Sequence, residues 1–194
     1  MAATSSPDRV LLFTLLGLTG VTGLVDAASY LALGHVFTAN MTGNVVFLGF
    51  ALARAPGLSV PRCLTALAGF FIGALLGGGL ASRMRTRPRH QWTTTAFVAE
   101  AALLLGAMGA AVGSPAPLPD NSTQLYAVII LTALAMGMRN ATVRSLGVAD
   151  LTTTVLTLTI TGLAADSALA SGTNPRWPRR IASVLTMAAG AAGG

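Results

Sequence analysis

The chain has 194 residues, of which 9% are charged and 53% come from the apolar set AVILMFWYC, with a mean hydropathy of +0.70. Soluble domains carry about 25% charged residues, so there is too little polar sequence to cover a soluble core, and an integral membrane protein is expected. The net charge of +6 sits mostly in short connections and no basic run is interleaved with aromatics, which points to membrane topology and anionic-lipid contact and away from nucleic acid.

A helix needs about 20 apolar residues to cross the hydrocarbon core. Val10–Leu33 is the first such run. It resembles a signal peptide with a passable cleavage site at Val25–Ala27, but its apolar character continues past that point. Further spans are predicted over Met41–Ala53, Leu64–Ser82, Trp92–Val112, Leu125–Leu146 and Leu151–Ala165, and a seventh starts at Ile181. Only 14 residues of that last run are present, so a truncated carboxyl end is expected. The proline-rich stretch Ser114–Gln124 reads as a loop. Alternating connections divide the arginines evenly between the two sides. The dense group Arg83, Arg85, Arg87 and Arg89 tips the expectation towards an external amino terminus, with insertion in both orientations also allowed.

Two polar interruptions break this apolar background. Asp26 to Asn44 sets a carboxylate, Thr38, Asn40, Thr42 and Asn44 beside membrane-type sequence, and Arg139 to Val155 does the same with Arg139, Asn140, Asp150 and Thr154. Polar groups in lipid are costly and mark functional sites. Thr38, Asn40 or Thr42 can cap a helix that begins within the membrane, leaving an amino terminus able to hold an anion. Asn44 is expected to line that site. Glu100 is alone in its span and is a candidate proton relay. Thr154, Thr157 and Thr161 share one helical face that could line a polar path or bond back to its own helix. Arg54, Arg62 and Arg83 to Arg89 read as topology anchors, and Asp166 as an interfacial charge.

The two interruptions suggest an internal duplication. Asp26–Ser29 aligns with Arg139–Thr142, Asn40–Val45 with Asp150–Val155, Pro61-Arg62 with Pro178-Arg179, and Gly73-Ala74 with Gly190-Ala191. Units 10–82 and 125–194, joined by a linker span over 92–112, then form a single integral membrane domain. With every run crossing, the copies are parallel, in a 3+1+3 order with broken helices, and a substrate pathway is expected near their shared axis. That arrangement brings Asp26 and Arg139 together as an ion pair. Glycines 17, 20 and 23, and 69, 73 and 77, are spaced for close helix approach.

Gly23–Ala27, Ala39–Asn44, Arg139–Thr142 and Asp150–Thr154 resemble the motifs of the YoaK-like family of small bacterial integral membrane proteins, a domain of unknown function. The resemblance spans nearly the whole chain. It implies a polytopic all-α bundle in a bacterial plasma membrane, with members somewhat longer at the carboxyl end, and no established substrate.

These features predict a component that moves a small polar solute, weakly favouring an anion, through the polar breaks, with homo-oligomer formation allowed. The alternative is a scaffold in which the same polar groups only fix helix register. An enzyme is not expected, because neither His35 nor His90 has an evident nucleophile partner. The lone Cys63 and the isolated histidines predict no disulfide, metal or cofactor.

Overall fold

The computed structural model describes residues 6–84, 86–147, 156–174 and 176–194. Its elements are α1 (Ser6–Ala32), α2 (Met41–Leu52), α3 (Val60–Arg83), α4 (Arg89–Ala111), α5 (Thr123–Leu146), α6 (Leu156–Ala165), a 3-10 turn at Ala168–Ala170, and α7 (Trp177–Gly193). Four of them, α1, α3, α4 and α5, are long and apolar enough to cross a membrane. Burial is inverted relative to a soluble protein. Phe71, Leu75, Val98 and Leu105 are exposed, while Asp26, Asn44, Glu100 and Arg139 are buried, the distribution expected when the surrounding solvent is lipid. Asp150 and Thr154 lie outside the described residues.

The chain forms two compact units, residues 25–147 and residues 1–24 with 148–194. In the first, α5 packs against α3 and α4. A Cβ on Gly73 would strike the Leu134 backbone, and one on Gly137 would strike the backbone of Phe70 and Ala74. Only glycine lets α3 and α5 approach this closely, and the pairings show that they run parallel. Ser122 starts α5 by accepting the Leu125 N–H at 3.1 Å, and Gly147 ends it in the left-handed conformation at φ +65°.

The end of α1 runs antiparallel to α5. Val25 belongs to the cluster of Ala135 and Met136, whereas Leu33 and Val36 belong to that of Leu125 and Ile129. Residues 33–40 then turn back into the bundle, because Ala39 returns to the Ala135–Met136 level. That level lies about 15 Å below Leu125 along α5, at 1.5 Å rise per residue. From there α2 climbs towards its starting face, where His35 Nδ1 lies 3.2 Å from the Gly57 carbonyl oxygen. The segment is re-entrant. With 12 residues α2 spans about 18 Å, too short for a hydrocarbon core of about 30 Å. This corrects the expectation that Met41–Ala53 crosses.

In the second unit α7 runs parallel to the first part of α1. Gly20 faces Thr186, and Gly23 faces Met187 and Ala191. The pattern matches the α3–α5 contact, with Gly23–Met187–Ala191 in the place of Gly137–Phe70–Ala74 and Gly20–Gly190 in the place of Leu134–Gly73. In this register Asp26 corresponds to Asn140, one residue past the Arg139 assigned from sequence. One residue turns a helix by about 100°, so the slip moves the equivalence to another face.

A re-entrant α2 also changes the charge count. In the unit of residues 25–147, Arg83, Arg87, Arg89 and Arg144 lie at one end, and Arg54 and Arg62 at the other, where Asp120 offsets one charge. By the positive-inside rule the more basic end of this unit, with the 84–88 connection, is expected to face the cytoplasm. In a Cys63→Ala background, Ala55→Cys should react with membrane-impermeant maleimide on intact cells, and Thr86→Cys only after permeabilisation. The reverse pattern would refute this orientation, and labelling of both from outside would indicate dual insertion.

Candidate functional site

The polar residues of the first break converge where α2 begins. Asn40 caps the helix, its Oδ1 accepting the Gly43 N–H at 3.3 Å. Asp26 Oδ1 accepts the N–H groups of Ala39 at 2.8 Å and Asn40 at 3.3 Å. The carboxylate of α1 therefore sits on the partly positive start of α2, where such a charge is favoured. The expected helix start at Asn40 to Asn44, preceded by non-helical chain, is observed.

Asn44 is fully buried. Its Oδ1 accepts the Phe37 N–H at 2.9 Å and its Nδ2 donates to the Phe37 carbonyl at 2.5 Å. Both ends of the amide hold the re-entrant chain, so Asn44 is a brace rather than the lining group anticipated from sequence. Asn40 and Thr42 are exposed. Thr38 is completely buried, and its hydroxyl has no hydrogen-bond partner among the described residues.

One helical turn beyond Leu103–Leu104 on α4 and Ala135–Met136 on α5, the positions that receive Ala39, lie Glu100 and Arg139. They form a buried ion pair, with Arg139 Nε donating to Glu100 Oε1 at 2.8 Å and Nη2 donating to the same oxygen. Glu100 is thus not alone, and Arg139 pairs with it rather than with Asp26. The linker helix, left out of the duplication, supplies the partner. Glu100 Oε2 is buried and unpartnered among the described residues. Asn140 is half-buried and donates to the Met136 carbonyl at 2.8 Å, and Thr142 bonds back to the Met138 carbonyl at 2.8 Å. On α6, Thr157 and Thr161 are exposed, and it is Thr159 that is buried.

Arg62, read from sequence as a topology anchor, and Arg180 both have structural partners. Arg62 pairs with Asp120 at 2.5 Å. Arg180 pairs with Asp166 at 2.7 Å and donates to the Gly162 carbonyl at 2.6 Å and to Asn174 Oδ1 at 3.0 Å. In both cases a glycine lies against the guanidinium, Gly34 for Arg62 and Gly162 for Arg180. Single-residue reading carries no signal for such pairs, since partners 58 and 14 positions apart are set by tertiary packing.

Comparison with known proteins agrees with the membrane class. A family profile described as "Protein of unknown function (DUF1275)" matches residues 14–194. The chain is 36% identical over 163 residues to the UPF0700 transmembrane protein YoaK of Bacillus subtilis (strain 168), covering 84% of this chain and 69% of that protein. No solved structure matches. The chain belongs to the DUF1275 family of proteins of unknown function, and it is a polytopic helical membrane protein.

Proposed function

We propose that the protein is a small-solute transporter or channel component of a bacterial plasma membrane, not an enzyme, and that its solute binds beside the re-entrant segment. The observation that carries this reading is a helix start deep in the bundle, with Thr38 Oγ1 just before it and Glu100 Oε2 one helical turn from the α4 residues that pack on Ala39, both buried and without partners among the described residues. Buried polar atoms without partners cost about 1–3 kcal/mol each and point to an occupant. Discontinuous helices at mid-membrane are also how many transporters expose backbone to substrate.

The chemistry of the site selects against an anion. Asp26 already takes the N–H groups of Ala39 and Asn40, and Asn40 takes that of Gly43. Glu100 Oε2, when ionised, can only accept, whereas the Thr38 hydroxyl can accept or donate. A neutral or cationic solute bearing N–H or O–H donors fits, in place of the anion weakly favoured from sequence. The repeated glycine contacts support a duplicated origin of the two helix pairs. The braces at Asn44 and Arg139 favour the second reading, a scaffold in which these groups only hold register.

Liposomes containing the purified full-length protein should swell in gradients of small polyols, amides or alkylammonium salts. Thr38→Val should slow that flux about tenfold, the value of roughly one hydrogen bond of 1.4 kcal/mol, with folding unchanged. Absence of flux for every solute class, from protein shown to be folded, would favour the scaffold.

A further inference from the structure

The observations at Arg62 lead beyond the transport site. This residue lies in the first turn of α3 and is only 8% exposed. Its Nη1 donates to the Gly34 carbonyl at 3.2 Å and its Nη2 to Asp120 Oδ1 at 2.5 Å, while Nε is buried without a partner among the described residues. Gly34 adopts φ +76°, and a Cβ there would land on the guanidinium. The seat of the cation is therefore built into the turn that follows α1.

Its counter-charge is held differently. The Arg62 side chain is 10% exposed and that of Asp120 is 80% exposed. Asp120 stands in the proline-rich connection between α4 and α5, and a cleft of about 440 Å³ opens between Gly34, His35, Gly57, Ser59, Arg62 and Asp120. An exposed carboxylate can move into water at little cost. A buried guanidinium cannot lose its anion so cheaply. Arginine also presents a planar fork suited to carboxylate and phosphate, and a single oxygen of Asp120 uses only part of it.

We propose that this cleft is an oxyanion-binding site, in which a carboxylate or phosphate group replaces Asp120 on Arg62. Asp120 is the internal stand-in that holds the site closed when no external oxyanion is bound. The shared chemistry has two sources, a free anionic solute and the phosphate of an anionic lipid, since the cleft lies at the end of the unit where α1 ends and α3 begins. The proposal does not depend on the transport reading.

The test uses the full-length protein in neutral detergent at low salt, with acetate and inorganic phosphate as probes. Asp120→Ala should lower the melting temperature, and either probe should restore it with saturable dependence. The double variant Asp120→Ala with Arg62→Gln should not respond, and Arg62→Lys, which keeps the charge without the fork, replaces Arg62→Gln if that variant does not fold. Wild-type protein should need at least tenfold more probe, because Asp120 competes. In nanodiscs, stabilisation by phosphatidylglycerol over phosphatidylcholine that depends on Arg62, without a response to free anions, would assign the site to lipid. If neither free anions nor phosphatidylglycerol distinguishes Asp120→Ala from the double variant, the proposal is overturned.

Discussion

Arg139→Met is expected to destabilise the protein by about 3–5 kcal/mol, the cost of stranding a buried ion-pair partner. Arg139 is 1% exposed and Glu100 4%. Glu100 Oε1 receives two donors from Arg139, while Oε2 has none among the described residues. Removing the arginine leaves a carboxylate in the bundle with its whole desolvation cost and no charge partner. Glu100→Leu combined with Arg139→Met should recover much of the loss, since replacing both charges by apolar groups of similar size is often close to neutral. Denaturant titration in detergent micelles of the wild type, both single variants and the double variant gives the coupling energy directly. A loss below about 1 kcal/mol for Arg139→Met would place the pair in a hydrated environment, where ion pairs contribute little.

That pair shows where sequence reading stops. Composition was enough for the membrane class, and Asp26 to Asn44 was recognisable as a break because carboxylate, amide and hydroxyl groups are out of place in lipid. The cap at Asn40 followed from residue chemistry alone. The path of α2 did not follow. Met41–Leu52 is as apolar as a true span, and apolarity reports the surroundings of a segment rather than whether it crosses. Its 12-residue length was the available signal. Once α2 was counted as crossing, the copies became parallel, the arginines divided evenly, and Asp26 was set against Arg139.

The difference of one residue in the register of the duplication had a separate origin. The sequence alignment rested on the short match of Asp26–Ser29 to Arg139–Thr142, whereas the register of the folded chain is fixed by the closest backbone contacts. Those lie at Gly23 and Gly137, where the facing partners are Met187–Ala191 and Phe70–Ala74. The bracing role of Asn44 was hidden for a related reason. An amide can line a site or satisfy backbone, and only the fold shows Phe37 presenting both its N–H and its carbonyl to it.

Asp26→Ala is expected to cost about 2–6 kcal/mol, because it leaves the N–H groups of Ala39 and Asn40 without their acceptor at about 1–3 kcal/mol each. Little water is at hand to replace it, since Asp26 is 6% exposed and Ala39 1%. The conservative change separates the contributions. Asp26→Asn keeps an oxygen able to accept both hydrogens but loses the negative charge at the start of α2, an interaction of about 0.3–1 kcal/mol in exposed helices and up to about 2 kcal/mol when partly buried. Asparagine should therefore lose less than half as much stability as alanine. The effect should also be local. Without the carboxylate the re-entrant chain loses the bond that sets its depth, so Ala39→Cys in a Cys63→Ala background should gain reactivity towards maleimide when Asp26→Ala is added, and much less with Asp26→Asn. Equal stability of Asp26→Ala and wild type, or unchanged labelling at position 39, would show that Asn44 and the Asn40 cap hold the re-entrant segment without help from α1.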